Sequence, residues 1–267
     1  MPVAFVTGAS RGIGRAASIA LAEGGFDVAL LARTVQEGHG RNDGDFVDSP
    51  QPIEGSLEET AARVQEAGQK ALVLGADLRD ADAMERAADT LMEAWGRVDV
   101  FVNNGLLHTG NNVRVDKLTR SVIEENIQAN ITNPLILTTR VLGIMKKQGT
   151  GRIINVTSPA GRNLPGGPPG EGGWGLMYSM CKAAQYRISG HLAVEVASEG
   201  ITCFNVDPGF VKTAVVGAMP IYATAPGDVS VDVPAKVIAW FATSERALEM
   251  NGQIIDAPSF GAENGLL

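Results

Sequence analysis

Cysteine is nearly absent from this chain: Cys181 and Cys203 are the only two in 267 residues. Two cysteines make no disulfide framework. Cys181 falls in a helical stretch and Cys203 in a strand-like one, so both read as buried free thiols, as a reducing cytoplasm would leave them. Histidine is as scarce. His39, His108 and His191 are scattered without ligand spacing, so no metal site is expected. No stretch reaches the ~18 uninterrupted apolar residues of a membrane span. The apolar opening from Met1 to Val6 is too short for a secretory h-region and has no basic n-region. A basic excess is also missing. With 22 Lys and Arg against 30 Asp and Glu, the net charge is −8, which disfavours a nucleic-acid partner.

Apolar residues are plentiful, at 45%, enough for a sizeable core. Apolar runs of strand length alternate with amphipathic stretches of helix length, the pattern of a parallel sheet covered on both faces. Strands are predicted near 2–7, 26–32, 70–76, 98–103, 151–157, 201–206 and 252–257. Helices are predicted over 12–24, 56–68, 80–95, 116–147, 175–199 and 233–243. The fold class is therefore α/β, a doubly wound parallel sheet of about seven strands, as a single domain over 1–267. Three segments interrupt the rhythm. Residues 35–55 are polar and rich in Gly, Asp and Pro, 159–174 hold Gly and Pro, and 214–232 contain Met219, Pro220, Tyr222 and Pro226. All three read as loops. The first is longer than a compact domain usually carries.

The first strand ends in Thr7-Gly8-Ala9-Ser10-Arg11-Gly12-Ile13-Gly14, and a helix follows. Glycines let backbone turn tightly and approach a pyrophosphate, while a helix N-terminus offers free N–H groups. The strand–loop–helix context makes nucleotide binding the expectation. After the second strand, an acid would bind the adenosine ribose and select NAD. Here the chain reads Ala32-Arg33. Ala32 removes a carboxylate that would repel a 2′-phosphate, Arg33 supplies a forked cation, and Arg11 adds a second. NADP is the expected cofactor.

Tyr178 and Lys182 lie four apart on a predicted helix, hence on one face. Tyrosine is a poor base at neutral pH, and a neighbouring ammonium favours its phenolate. Ser158 follows the strand Gly151–Thr157, at the sheet end where such folds place ligands. A hydroxyl there can hydrogen-bond a carbonyl oxygen.

Together these motifs resemble the short-chain dehydrogenase/reductase family, in its short single-domain branch with a Rossmann-like sheet, over nearly the whole chain. Gly8, Gly12 and Gly14 match its cofactor loop, with Ser10, Arg11 and Ile13 between them. Asp77 matches the acid that binds the adenine amino group, and Leu78 follows it. Asn103-Asn104 after the fourth strand resembles the start of its Asn-Asn-Ala-Gly segment, which continues here as Gly105-Leu106 along the cofactor. Pro208, Gly209, Val211 and Thr213 resemble the segment that holds the nicotinamide carboxamide. Asn130, Ser158, Tyr178 and Lys182 match its catalytic set. The resemblance implies hydride transfer between nicotinamide and a carbonyl carbon. Tyr178 would be the acid/base, Ser158 would stabilise the oxyanion, Lys182 would bond the nicotinamide ribose, and Asn130 would hold a proton-relay water. It also implies a homodimer or homotetramer assembled through the region 126–147.

The chain departs from the family at Gly105-Leu106, where Ala-Gly is usual, at Asp207, where a small neutral residue is usual, and at Asp256-Ala257-Pro258. Against the family, 35–55 and 159–174 are insertions, the second lengthening the stretch from Ser158 to Tyr178 and expected to overhang the substrate entrance. The insertion 35–55 and Ser158-Pro159 are similar to the hydroxysteroid-dehydrogenase-like subgroup. Trp174, Met177, Phe210, Met219 and Tyr222 are expected to wall a partly apolar substrate, and Trp95 and Trp240 to sit in the core. Two other uses of the fold compete: a non-redox epimerase or dehydratase, and a non-catalytic NADP-sensing protein. The loop spacing argues against the first and the complete catalytic set against the second.

Overall fold

A computed structural model describes residues 1–42, 51–217 and 229–267. The chain opens with β1 (Val3–Thr7), α1 (Gly12–Glu23) and β2 (Asp27–Ala32), then two short strands, β3 (Arg41–Asn42) and β4 (Gln51–Pro52). Next come α2 (Leu57–Glu66), β5 (Ala71–Gly75), α3 (Ala81–Trp95), β6 (Val100–Asn103), α4 (Arg120–Ile127) and α5 (Asn133–Gln148). The chain continues through β7 (Gly151–Val156), α6 (Leu176–Glu195), β8 (Ile201–Asp207) and α7 (Ala214–Gly217). It closes with α8 (Asp232–Thr243), β9 (Ile254–Asp256) and α9 (Ala257–Glu263).

Seven strands form one parallel sheet in the order β5-β2-β1-β6-β7-β8-β9. β1 is fully buried, and its alternating side chains feed two cores. Ala4 and Val6 pack with α1, α2 and α8 through Leu21, Val64 and Phe241. Val3 and Phe5 pack with α3 and α5 through Leu91 and Val141. Burying one such large side chain stabilises the fold by ~1.5–3 kcal/mol. The chain reverses direction of travel across the sheet between β1 and β6, which opens a crevice at the strands' carboxyl ends.

Four expectations need correction. The helix expected over 116–147 is broken: a turn at Val115–Lys117, then α4, a five-residue π turn at Gln128–Thr132, then α5. Pro134 has no N–H to donate to the carbonyl of Asn130 four residues earlier, so α-helical bonding fails there. Asn133 instead donates its N–H to the Gln128 carbonyl. The strand expected over 252–257 shortens to β9 because Asp256 caps α9, accepting from the Ser259 N–H, with Pro258 in the first turn. The 35–55 insertion carries the antiparallel pair β3–β4. Trp95 and Trp240 are only half-buried, packed against the core edges. Part of that insertion (43–50) and most of the loop at 214–232 (218–228) lie outside the described residues. Among the described residues no helix is long and apolar enough to cross a membrane.

Candidate active site

The turn from β1 into α1 is closed by backbone contact. A Cβ on Gly14 would stand 2.2 Å from the Gly8 carbonyl oxygen, and Gly8 itself takes φ +68°. Only glycines allow that approach. Arg11, ahead of α1, is extended and gives the helix no side-chain cap, leaving its first N–H groups for an anion. Asn104 clips the crevice floor by donating Nδ2 to the Thr7 carbonyl (2.9 Å), while Thr7 Oγ1 accepts the N–H groups of Asn104 and Gly105.

A cavity of about 860 Å³ runs along this crevice, within the size range of cofactor sites. Gly8, Ser10, Arg11, Gly12 and Ile13 line one end with Arg33, Asp77 and Leu78. Asn104 and Gly105 follow, then Ser158, Tyr178 and Lys182, and Pro208, Gly209, Val211 and Thr213 lie across from them. Gly14 does not line it; its part is the packing just described. The dinucleotide motif residues thus fit a long, glycine-floored cleft.

At the Arg33 end, burial would raise the Asp77 carboxyl, but Arg79 overrides it. Arg79 bonds it through side chain (2.7 and 3.0 Å) and backbone (2.9 Å), with Arg33 nearby, and holds Asp77 below the ordinary carboxylate range. Arg33 also donates to the Arg41 carbonyl (3.2 Å). The Arg11 guanidinium is more committed than expected. It donates to the carbonyls of Glu54 (2.9 Å) and Gly55 (2.7 Å) and to Thr34 Oγ1 (3.1 Å), tying the glycine loop to the insertion.

At the other end, Ser158 leaves β7 in extended conformation and starts a short turn, its Oγ accepting the Ala160 N–H at 3.3 Å. Tyr178 and Lys182 occupy the first two turns of α6, with the Lys182 Nζ 5.9 Å from the Tyr178 ring centre. Lys182 is 4% exposed and donates to the Val156 carbonyl (2.8 Å) and to Gln185 Oε1 (3.2 Å). Burial pushes its ammonium down to about 8, against the pull of Cys181 and Asp207.

Asn130 sits apart from the other three. It is buried behind the wall and does not line the cavity. Its Oδ1 accepts the Leu107 N–H at 2.7 Å, and its Nδ2 donates to the Leu107 carbonyl (3.1 Å) and Asn126 Oδ1 (3.2 Å). The side chain is a brace for the 105–107 segment. Trp174 and Phe210 line the cavity, whereas Met177 is buried and does not. Met219 and Tyr222 lie outside the described residues. The 159–174 loop borders the cavity through Pro159, Ala160 and Gly170, and Leu106 lines it where glycine was the pattern.

Sequence reasoning missed Arg41, Asn42, His108, Asn111 and Asn112, all lining the cavity. The polar run after β6 was the available signal for the last three, since it leaves a strand's carboxyl end.

The model of the short chain dehydrogenase family matches residues 2–42 and 50–220. The chain belongs to that family. A 3-oxoacyl-(acyl-carrier-protein) reductase of Synechocystis is 33% identical over 214 residues, 79% of this chain and 74% of that protein. A cyclohexanol dehydrogenase of Rhodococcus is 30% identical over 236 residues, 87% and 82%. Among solved structures, a carveol dehydrogenase of Mycobacterium avium in complex with NAD superposes with TM-score 0.79 at 22% identity, covering 96% of this chain and 95% of that one. A 3-ketoacyl-ACP reductase of Sinorhizobium meliloti gives 0.76 at 27%, covering 96% and 98%.

This short-chain dehydrogenase is therefore an oxidoreductase acting on CH–OH or C=O groups, for which a nicotinamide cofactor is expected. Among its described residues no His, Cys, Asp and Glu cluster is grouped to hold a metal ion. Both cysteines are buried, and burial pushes Cys181 up to about 11 and Cys203 up to about 12. Neither thiol is poised as a nucleophile.

Proposed function

We propose that this protein is an NADP(H)-dependent oxidoreductase interconverting a carbonyl and an alcohol on a small, partly apolar substrate, with Tyr178 as general acid/base. The observation that carries this reading is that Ser158, Tyr178 and Lys182 line the same cavity as the glycine loop. The loop from Gly8 to Ile13 would hold the pyrophosphate, Asp77 and Leu78 the adenine, and Pro208 to Thr213 the nicotinamide end. The cofactor, when bound, supplies or takes the hydride at the substrate carbon. Tyr178 gives a proton to the substrate oxygen in reduction and recovers it in oxidation. Ser158 donates a hydrogen bond to the same oxygen and stabilises its developing charge. Lys182, an ammonium at neutral pH, favours loss of the Tyr178 proton by placing positive charge beside the ring. Asn130, its side chain braced on Leu107, would hold the water that relays protons to solvent.

Ala32 in place of an acid, together with Arg33 on the cavity wall, supports NADP(H) over NAD(H). The half-apolar wall at Trp174, Phe210 and Leu106 supports a substrate with a hydrocarbon part. A hydroxysteroid is one candidate, on the strength of Ser158-Pro159 and the 35–55 insertion. Assembly as a homodimer or homotetramer would run through the region 126–147, most of it α5. The test is loss of NADPH absorbance with a panel of cyclic, steroid and 3-oxoacyl ketones, run in reverse with the matching alcohols. Turnover of one class with NADPH preferred is the expected result. No turnover in either direction with either cofactor would overturn the reading.

A further inference from the structure

Asp207 ends β8 fully buried, and its carboxylate collects three donors from three directions. Thr157 Oγ1 donates to Oδ1 at 2.5 Å, the Tyr186 hydroxyl donates to the same oxygen, and Arg162 donates to Oδ2 at 2.5 Å. Arg162 closes the loop by donating Nε to the Tyr186 hydroxyl (3.1 Å), its guanidinium 5.4 Å from that ring's centre. Burial and the adjacent carboxylate hold the Tyr186 phenol well above its ordinary value, so it stays a donor.

Each donor belongs to a segment that carries part of the site. Thr157 immediately precedes Ser158. Arg162 ends the turn that Ser158 begins, a turn fastened by Gly161 N–H to the Ser158 carbonyl and Arg162 N–H to the Pro159 carbonyl, both 2.9 Å. Tyr186 lies one helical turn beyond Lys182 and two beyond Tyr178 on α6. Asp207 itself precedes Pro208 and Gly209. The turn rests directly on α6 backbone: a Cβ on Gly161 would stand 2.6 Å from the Lys182 carbonyl carbon.

We propose that Asp207 is a positioning residue, and that its network with Thr157, Arg162 and Tyr186 fixes Ser158 relative to Tyr178 and Lys182. Charge-assisted bonds to a fully buried carboxylate are short and directional, and a network of this kind acts as a unit. A small neutral residue at 207 would leave the Ser158 turn held by the Arg162–Tyr186 bond, its own backbone bonds and its packing on α6, with no carboxylate anchor at the end of β8. A misplacement of about 1 Å in a catalytic group can cost ~100-fold in turnover.

The inference rests on the functional reading above, and its test separates the two. Asp207→Asn, Ser158→Ala and the double variant are compared for turnover on the ketone the wild type reduces best. NADPH affinity is followed by fluorescence, and amide hydrogen exchange over 161–163 is recorded. Asp207→Asn is expected to lose at least ~10-fold in turnover and to exchange faster over 161–163. Its NADPH affinity should stay within ~3-fold, and it should add less than ~3-fold to the loss already caused by Ser158→Ala. Turnover within ~2-fold of wild type, or losses that multiply in the double variant, would overturn the proposal. If Asp207→Asn does not fold, Tyr186→Phe, which leaves Thr157 and Arg162 on the carboxylate, carries the same cycle with the same refuting result. Should Tyr178→Phe retain turnover, the functional reading fails. Should it abolish turnover while the Asp207 and Ser158 losses multiply, only the positioning role fails.

Discussion

Replacing Lys182 with methionine should separate stability from function at one position. The folded protein holds the ammonium at about 8 against an ordinary 10.5, chiefly by burial. That difference disfavours the charged form by about 3 kcal/mol in the folded state. Methionine has a similar reach and no charge, so this penalty disappears. It also leaves the Val156 carbonyl and Gln185 Oε1 without their donor, which costs about 1–3 kcal/mol for each. At pH 7 the two effects are of similar size, so Lys182→Met should lie within about 3 kcal/mol of wild type. The balance then shifts with pH in a defined way. Between about 8 and 10.5 the unfolded wild type binds more protons than the folded form, so wild-type stability rises with pH there. By about pH 9.5 the wild type should recover about 2 kcal/mol relative to the variant. Chemical denaturation of both proteins at the two pH values reads this directly, and the variant should be inactive in the ketone assay. A stability difference that does not move by about 2 kcal/mol in favour of the wild type between the two pH values would refute the reasoning.

Other consequences are as open to test. Arg33→Ala should weaken NADPH binding at least ~10-fold, the scale of a lost charge-assisted contact, and leave NADH nearly unchanged; equal weakening of both would remove Arg33 from the 2′-phosphate. Gly14→Ala, whose Cβ would meet the Gly8 carbonyl at 2.2 Å, should destabilise by at least ~1–3 kcal/mol and lower affinity for both cofactors; a wild-type melting curve would contradict the tight turn. Ketone reduction should fall as pH rises through about 8, where Lys182 loses its proton; a rate flat to pH 10 would take Lys182 out of the proton step.

The sheet was legible because strands buried on both faces read as near-continuous apolar runs and their crossover helices as amphipathic ones. What escaped was local chemistry whose outcome depends on partners. Pro134 was visible in the sequence, yet an apolar pattern spanning 116–147 concealed that its missing N–H would divide the helix. Asp256 and Pro258 form an ordinary cap for α9, but read beside a strand they passed as its end. In the site, Tyr178 and Lys182 were legible because one helical turn fixes their relation. Ser158 was legible because it leaves a strand at the carboxyl edge. Asn130 was legible only through its match to the family, and that its amide turns onto Leu107 depends on the fold. Arg41 reaches the cavity from the two-residue strand β3 and His108 from a loop, and no periodicity encodes either course. Asp207 stood out only as a departure until Thr157, Arg162 and Tyr186 were brought to it.

The central claim is that Tyr178 moves the proton. Tyr178→Phe removes one oxygen and keeps the ring, so the fold and the cofactor cleft should survive. Measured on a ketone that the wild type reduces, turnover of Tyr178→Phe should fall by at least the ~10²–10⁴-fold that a lost general acid costs, with NADPH affinity nearly unchanged. Near-normal turnover by Tyr178→Phe on that ketone would contradict the assigned chemistry.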